Sequence, residues 1–165
     1  MGWNSSVILI EKASLDQVKN AIPDVFTVTN RLVGGEQATT SQLYPGGALG
    51  EIPKWIALWT SNTQLLMFDE FLESVSRTGR AVVCLQSSVS TIHGLLVYER
   101  GQHRRSLIRN NYETLVDVGE PIPEEAGVIW QDDESNVFEI VRHITGVDVT
   151  DSKTWENVKF AVFVL

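Results

Sequence analysis

One cysteine, Cys84, stands in 165 residues. No disulfide can form within the chain, and the several closely spaced cysteines of a structural zinc site are missing. Cations are also scarce. Lysine and arginine number 13 against 21 aspartates and glutamates, a net charge of -8, which opposes any sequence-independent grip on nucleic acid because that grip rests on neutralising phosphates. Apolar runs are short, and none approaches the roughly 20 residues of a membrane-spanning helix. No basic segment precedes a long apolar stretch at the N-terminus, as it does in a secretory leader. These absences set the expectation of a cytosolic protein that binds neither nucleic acid nor membrane. Met1-Gly2 with Ser6 fits the bare myristoylation pattern, which recurs by chance. Asn4-Ser5-Ser6 fits a glycosylation acceptor, which has no chemical meaning without a secretory route.

Catalytic signatures are missing as well. Neither Gly-x-Gly-x-x-Gly nor Gly-Lys-Ser/Thr occurs, so nucleotide phosphates have no glycine-rich cradle. No Gly-x-Ser-x-Gly elbow exposes a serine on a strained turn. Cys84 lies among Val82, Val83 and Leu85 and reads as a small buried hydrophobe. His93 opens a strand before Gly94, His103 belongs to a basic hairpin, and His143 falls in the last turn of a helix; none has metal-ligand spacing. Asp132, Asp133 and Glu134 form the densest acidic run. Their oxygens suit a hard cation, but their place just before a helix gives them a simpler use at its N-terminus. Asp69, Glu70 and Glu73 invite an acid/base reading, while helix capping explains the first two. The expectation is no cofactor, no metal and no catalytic constellation.

Against these absences stands a hydrophobic content of 43%, enough for one core in a chain of this length. The pattern predicts one α+β domain over residues 1–165, with a mainly antiparallel sheet and about three helices. Val7 to Ile10 reads as a buried strand. Ser14 with Gln17 has the spacing of a capping box, and Pro23 ends the helix they open. Val25 to Leu32 follows as a strand. Residues 34–50, rich in glycine and small polar residues, read as a long loop and a candidate rim for a site.

Trp55 to Thr60 and Gln64 to Phe68 read as two strands joined by Ser61-Asn62-Thr63. Asp69 then caps a helix that Gly79 closes. A meander follows over Ala81 to Gln86, His93 to Arg100, Arg104 to Arg109 and Tyr112 to Val118. A third helix runs from Ser135 to Gly146, residues 151–157 hold at most one helical turn, and Val158 to Leu165 is apolar on both faces, as a strand inside the sheet would be. Trp55 and Trp59 point to one side of their strand.

Two-residue turns at Gly101-Gln102 and Asn110-Asn111 would fix the meander's register. Glu99 would lie opposite Arg104 and Arg104 opposite Asp117, an acid-base-acid row on one face. Arg105 would fall between Tyr98 and Val116, and Arg109 opposite Tyr112. In this register Arg105 and Arg109 have no acid directly across, so with Tyr98 and Tyr112 they are the candidate site for an anionic ligand; the competing reading is solvated arginines lying over aromatic rings.

Tyr98-Glu99-Arg100-Gly101, Arg104-Arg105-Ser106 and Gly119-Glu120-Pro121-Ile122-Pro123-Glu124-Glu125, followed by one helix, resemble the C-terminal half of small uncharacterised bacterial α+β proteins. The likeness covers about a third of the chain. It implies a bacterial, cytosolic protein and transfers no catalytic residue. Two functions compete. The first is a non-enzymatic interaction module, of the kind seen in acidic immunity-like or regulatory proteins, whose charge steers a basic protein partner. The second is a domain or enzyme for an anionic small molecule, with a pocket between the 34–50 loop and the meander.

Overall fold

The computed structural model describes residues 4–111, 113–128 and 134–165. Its strands are β1 (Ser6–Glu11), β2 (Thr27–Val33), β3 (Gly47–Ile52), β4 (Trp55–Thr60), β5 (Arg80–Ser87), β6 (Ile92–Glu99), β7 (Gln102–Arg109), β8 (Thr114–Val118) and β9 (Phe160–Val164). They form one antiparallel sheet in the order β2-β9-β3-β4-β1-β5-β6-β7-β8. The helices are α1 (Leu15–Ala21), α2 (Gly35–Ala38), α3 (Thr63–Leu66), α4 (Asp69–Val75), α5 (Ser135–Thr145) and α6 (Ser152–Trp155), with 3-10 turns at Ser41–Leu43 and Pro123–Glu125. The mixed class and the antiparallel sheet agree with expectation. The described residues hold six helices rather than about three because α2, α3 and α6 are single turns. Among the described residues no helix is long and apolar enough to cross a membrane.

Helices cover both faces of the sheet, which is why its central strands are apolar without alternation. Val7 and Leu9 of β1 point toward α2, α5 and α6, while Ile8 and Ile10 point toward α1, α3 and α4. β4 is buried along its whole length. Trp55 and Trp59 share the α5/α6 side as predicted, and Trp59 meets Trp155 edge-on at 5.2 Å. β9 lies inside the sheet between β2 and β3, with Phe160 and Val162 buried on one face and Ala161 and Phe163 on the other. The capping box is present: Gln17 N donates to Ser14 Oγ at 3.1 Å and Ser14 N to Gln17 Oε1 at 2.8 Å. α5 ends on Gly146 at φ +72°, the left-handed position that favours glycine.

Three expectations fail for local reasons. Gln64 to Phe68 is not a strand. Asn62 Oδ1 accepts from Gln64 N at 3.1 Å and Leu65 N at 3.2 Å, opening α3; residues that suit a polar hairpin turn also suit an N-cap. Asp69 does not cap α4. Phe68 holds the cap position, and Asp69, one residue in, accepts a hydrogen bond from the Tyr98 hydroxyl.

The 34–50 segment is not one loop either, since it contains α2, a 3-10 turn and β3. Gly35, Gly46, Gly47 and Gly50 mark close packing rather than looseness. A Cβ at Gly47 would lie 2.2 Å from the Trp59 carbonyl oxygen, so Gly47→Ala is expected to cost about 1–3 kcal/mol of unfolding free energy in urea titration.

Candidate functional site

The β6–β7 turn is Arg100-Gly101, with φ of +51° and +77° and Glu99 paired to Gln102. Both central residues take the positive φ of a two-residue hairpin turn, and glycine occupies the second place rather than the first. The pairing then shifts between Val97 and Tyr98: Tyr98 faces His103, whereas Val97 faces Arg105. Arg104 is left over at this bulge. A bulge changes which face the following residues take, so Arg105 lies opposite Val97 instead of Tyr98. On the far side of β7, Asn110 N donates to the Glu113 carbonyl at 3.0 Å, and Asp117 pairs with Leu107.

The predicted Glu99-Arg104-Asp117 row is therefore corrected. Arg104 keeps Glu99 as an exposed ion pair at 3.8 Å, and Asp117 belongs to Arg105. The Arg105 side chain is only 3% exposed. Its Nε and Nη2 donate to the two carboxylate oxygens of Glu125 at 2.9 and 3.0 Å. Nη1 donates to Asp117 Oδ1 at 2.5 Å and to the carbonyls of Val118 and Gly119 at 3.3 and 3.0 Å. Hydrogen bonding to Glu125, foremost, and to Asp117 raises the guanidinium pKa further. Glu125 Oε2 also accepts from Ile122 N at 2.8 Å. This fork ties β7, the end of β8 and the Pro123–Glu125 turn together. Arg105 has no acid directly across it in the ladder, but Asp117 reaches it diagonally and Glu125 from outside the hairpin, so its guanidinium is occupied.

The other candidates separate. Tyr98 is buried on the opposite face, beside α4, and burial, then its bond to Asp69, pushes the phenol pKa upward. Arg109 Nη1 donates to Thr114 Oγ1 at 2.5 Å. It lines a groove of about 520 Å3 together with Arg105 and Leu107. Tyr112, like Asp132 and Asp133, lies outside the described residues, as does the Met1-Gly2 pattern. Glu134 holds the position before α5, as expected of an acid at a helix start. The 34–50 segment and the meander, between which a pocket was expected, are not adjacent in the sheet: β1 and β4 stand between β3 and β5.

On the α5 side Gln86, His93, Arg109 and Thr114 form a polar row across four strands, each paired with the next. Cys84 adjoins this row, and burial pushes its thiol up to about 12 from an ordinary 9.0, so it is neither nucleophile nor thiolate at neutral pH. Both Cys84 and Tyr98 have folded pKa values above their unfolded ones, so their contribution to stability is complete below pH 9; that of Cys84 declines as pH rises from 9.0 toward about 12, and that of Tyr98 declines from pH 10.0 upward. Denaturant midpoints should hold level to pH 9 and then fall, less steeply in Cys84→Ala. Rapid alkylation of the native thiol at pH 9 would contradict this.

The cleft that the sequence does not reveal lies elsewhere, at the end of the sheet where β4 and β9 terminate. It has a volume of about 560 Å3 and is lined by Val25, Phe26, Tyr44, Asn62, Phe68 and Leu165 among others, with no acidic or basic side chain among its lining residues. Four separate segments build it: the α1–β2 link, the Tyr44-Pro45 corner before β3, the start of α3, and the end of β9.

Asn62 Nδ2 donates to the Pro45 carbonyl at 3.0 Å while Asn62 Oδ1 caps α3, fixing two of these segments to each other. Phe26 meets Phe163 edge-on at 5.5 Å and anchors the third. Around this fixed floor the apolar side chains face water: Val25, Tyr44 and Leu165 are 63%, 66% and 63% exposed, and Phe68 39%. Asp24 precedes Val25 and Asp69 and Glu70 follow Phe68 in the chain, and all three are exposed.

Single exposed hydrophobes are ordinary, whereas several meeting around a concavity mark a contact surface. The only legible hint is Tyr44-Pro45, since convergence of four distant segments leaves no local motif. The chain matches no protein-family model, no curated protein and no solved structure.

Proposed function

We propose that this chain is a non-enzymatic protein-interaction module of the cytosol, and that the cleft between the α1–β2 link and α3, lined without charged side chains, receives an apolar anchor of a basic partner protein. The exposed cluster of Val25, Tyr44, Phe68 and Leu165 around a concavity without charged side chains carries this reading. Large aromatic and aliphatic groups around a pocket are the residues that dominate binding energy at interfaces. The net charge of -8 speeds the approach of a cationic surface. The rival small-molecule reading loses its main support in Arg105, whose guanidinium is committed to Glu125, Asp117 and two carbonyls.

Tyr44→Ser and Phe68→Ser test the proposal. Each should change unfolding free energy by no more than about 1 kcal/mol, because the side chains are exposed. Each should weaken partner binding by about 2 kcal/mol or more, as truncation of an interface anchor does. A photo-crosslinker at position 44 should capture the partner and one at Lys54, on the β3–β4 turn at the other end of the sheet, should not. Equal capture at both positions would refute the assignment of the cleft.

A further inference from the structure

The two edges of the sheet differ. At one end β2 is interrupted: its pairing with β9 shifts between Val28 and Leu32. There Thr29 Oγ1 donates to the Val162 carbonyl at 2.8 Å and accepts from Arg31 N at 3.2 Å. The Thr29 side chain thus bridges the interrupted β2–β9 ladder and engages the Arg31 amide, and Arg31 adds the charge that commonly guards an edge. At the other end β8 is guarded at its close, where Arg105 Nη1 donates to the Val118 and Gly119 carbonyls, but not by a cation of its own. Its sequence, Thr-Leu-Val-Asp-Val, contains no lysine, arginine or proline. Its one irregularity lies toward its start, and from Val116 to Val118 it pairs regularly with Ile108 to Ser106. Leu115 and Val118 are 46% and 53% exposed, and among the described residues no strand pairs with its outer edge.

Charge identifies what the edge would accept. Residues 110–141 contain nine of the 21 acids and none of the 13 lysines and arginines. Arg105 neutralises Asp117 and Glu125 from β7, and Arg80 reaches Glu124. Glu113 and Glu120 remain exposed at the two ends of β8. A second copy added antiparallel here would bring Glu113 of one chain toward Glu120 of the other, and like charges facing each other destabilise a cross-strand pairing. An extended cationic segment meets both the unpaired backbone groups and the carboxylates at either end.

We propose that β8 is a strand-addition site for an extended lysine- or arginine-rich segment of a partner protein, which would hydrogen-bond along the outer edge with its cations beside Glu113 and Glu120. The proposal shares with the preceding section only the premise of a protein partner. Its surface is at the opposite end of the strand order from β2 and involves no cleft residue.

Three synthetic peptides test it: Lys-Val-Lys-Val-Lys-Val-Lys, the same peptide with proline for the central valine, and the glutamate counterpart. The first should protect β8 amides from hydrogen exchange and shift their NMR resonances, with affinity falling as salt rises. The proline peptide, of equal charge, should bind at least about tenfold more weakly, because it cannot continue a ladder. The glutamate peptide should not bind. Leu115→Lys/Val118→Lys and, separately, Glu113→Gln/Glu120→Gln should each weaken the first peptide by about fivefold or more, while Tyr44→Ser/Phe68→Ser should leave it unchanged. Equal binding of the proline peptide, or protection confined to β2 or the cleft, would overturn the proposal. So would concentration-dependent dimerisation abolished by Val118→Lys, which would assign the edge to a second copy.

Discussion

Arg105→Ala is expected to lower the unfolding free energy by about 3–5 kcal/mol, the cost of breaking a buried ion pair from one side. The substitution leaves Glu125, whose side chain is only 8% exposed, without its cation. It also removes the donors that the Val118 and Gly119 carbonyls use. Asp117, 61% exposed, can return to water and contributes the smaller part. Arg105→Lys should recover little, because an ammonium cannot form the two-pronged contact with Glu125 while reaching Asp117 and two carbonyls. Arg105→Ala/Glu125→Ala should be less damaging than the sum of the single changes, since it leaves no buried carboxylate behind. Urea titration of the four proteins measures these differences. Full stability in Arg105→Ala would show that the fork is dispensable.

The second large effect is expected on the same side of the sheet, at Trp155. This residue is 3% exposed, meets Trp59 edge-on at 5.2 Å, and donates from Nε1 to the Val149 carbonyl at 3.1 Å. Gly35 of α2 packs so closely on it that a Cβ there would lie 2.4 Å from the Trp155 carbonyl oxygen. α6 is only four residues long, too short to persist without tertiary packing. The indole therefore holds α6 to the sheet, and α2 packs on the Trp155 backbone that it fixes in place. Trp155→Ala should cost about 3–5 kcal/mol, the range for removing a large aromatic side chain from a core. Trp155→Phe keeps a ring against Trp59 but leaves the Val149 carbonyl without its donor, at about 1–3 kcal/mol. Hydrogen exchange should show α2 and α6 opening together in both variants, whereas independent opening would refute the coupling.

What the sequence made legible was local. The Ser14/Gln17 capping box, the Gly146 stop and the double-sided apolar run of β9 each depend on residues within a few positions of one another, and each stands where it was expected. Signals shared by two structures misled. Ser61-Asn62-Thr63 serves a hairpin as well as a cap, and the glycines of β3 look like a loop although they permit close packing beneath Trp59 and Phe163. The meander's strands were recognisable from their patterns, but their register turned on a bulge at Arg104 that no local pattern announces. The partner of Arg105 was hidden for a different reason: Glu125 lies 20 positions away and returns over the sheet only after β8 has ended. The cleft required four distant segments to meet.

The cleft's role as a protein-binding surface is tested most directly by affinity capture from the native host with the unaltered chain and with Tyr44→Ser/Phe68→Ser, examining each eluate for proteins and for small metabolites. The predicted result is one stoichiometric basic protein with the unaltered chain and its loss with the double substitution. A retained metabolite without a protein, or a partner held equally by both chains, would contradict it.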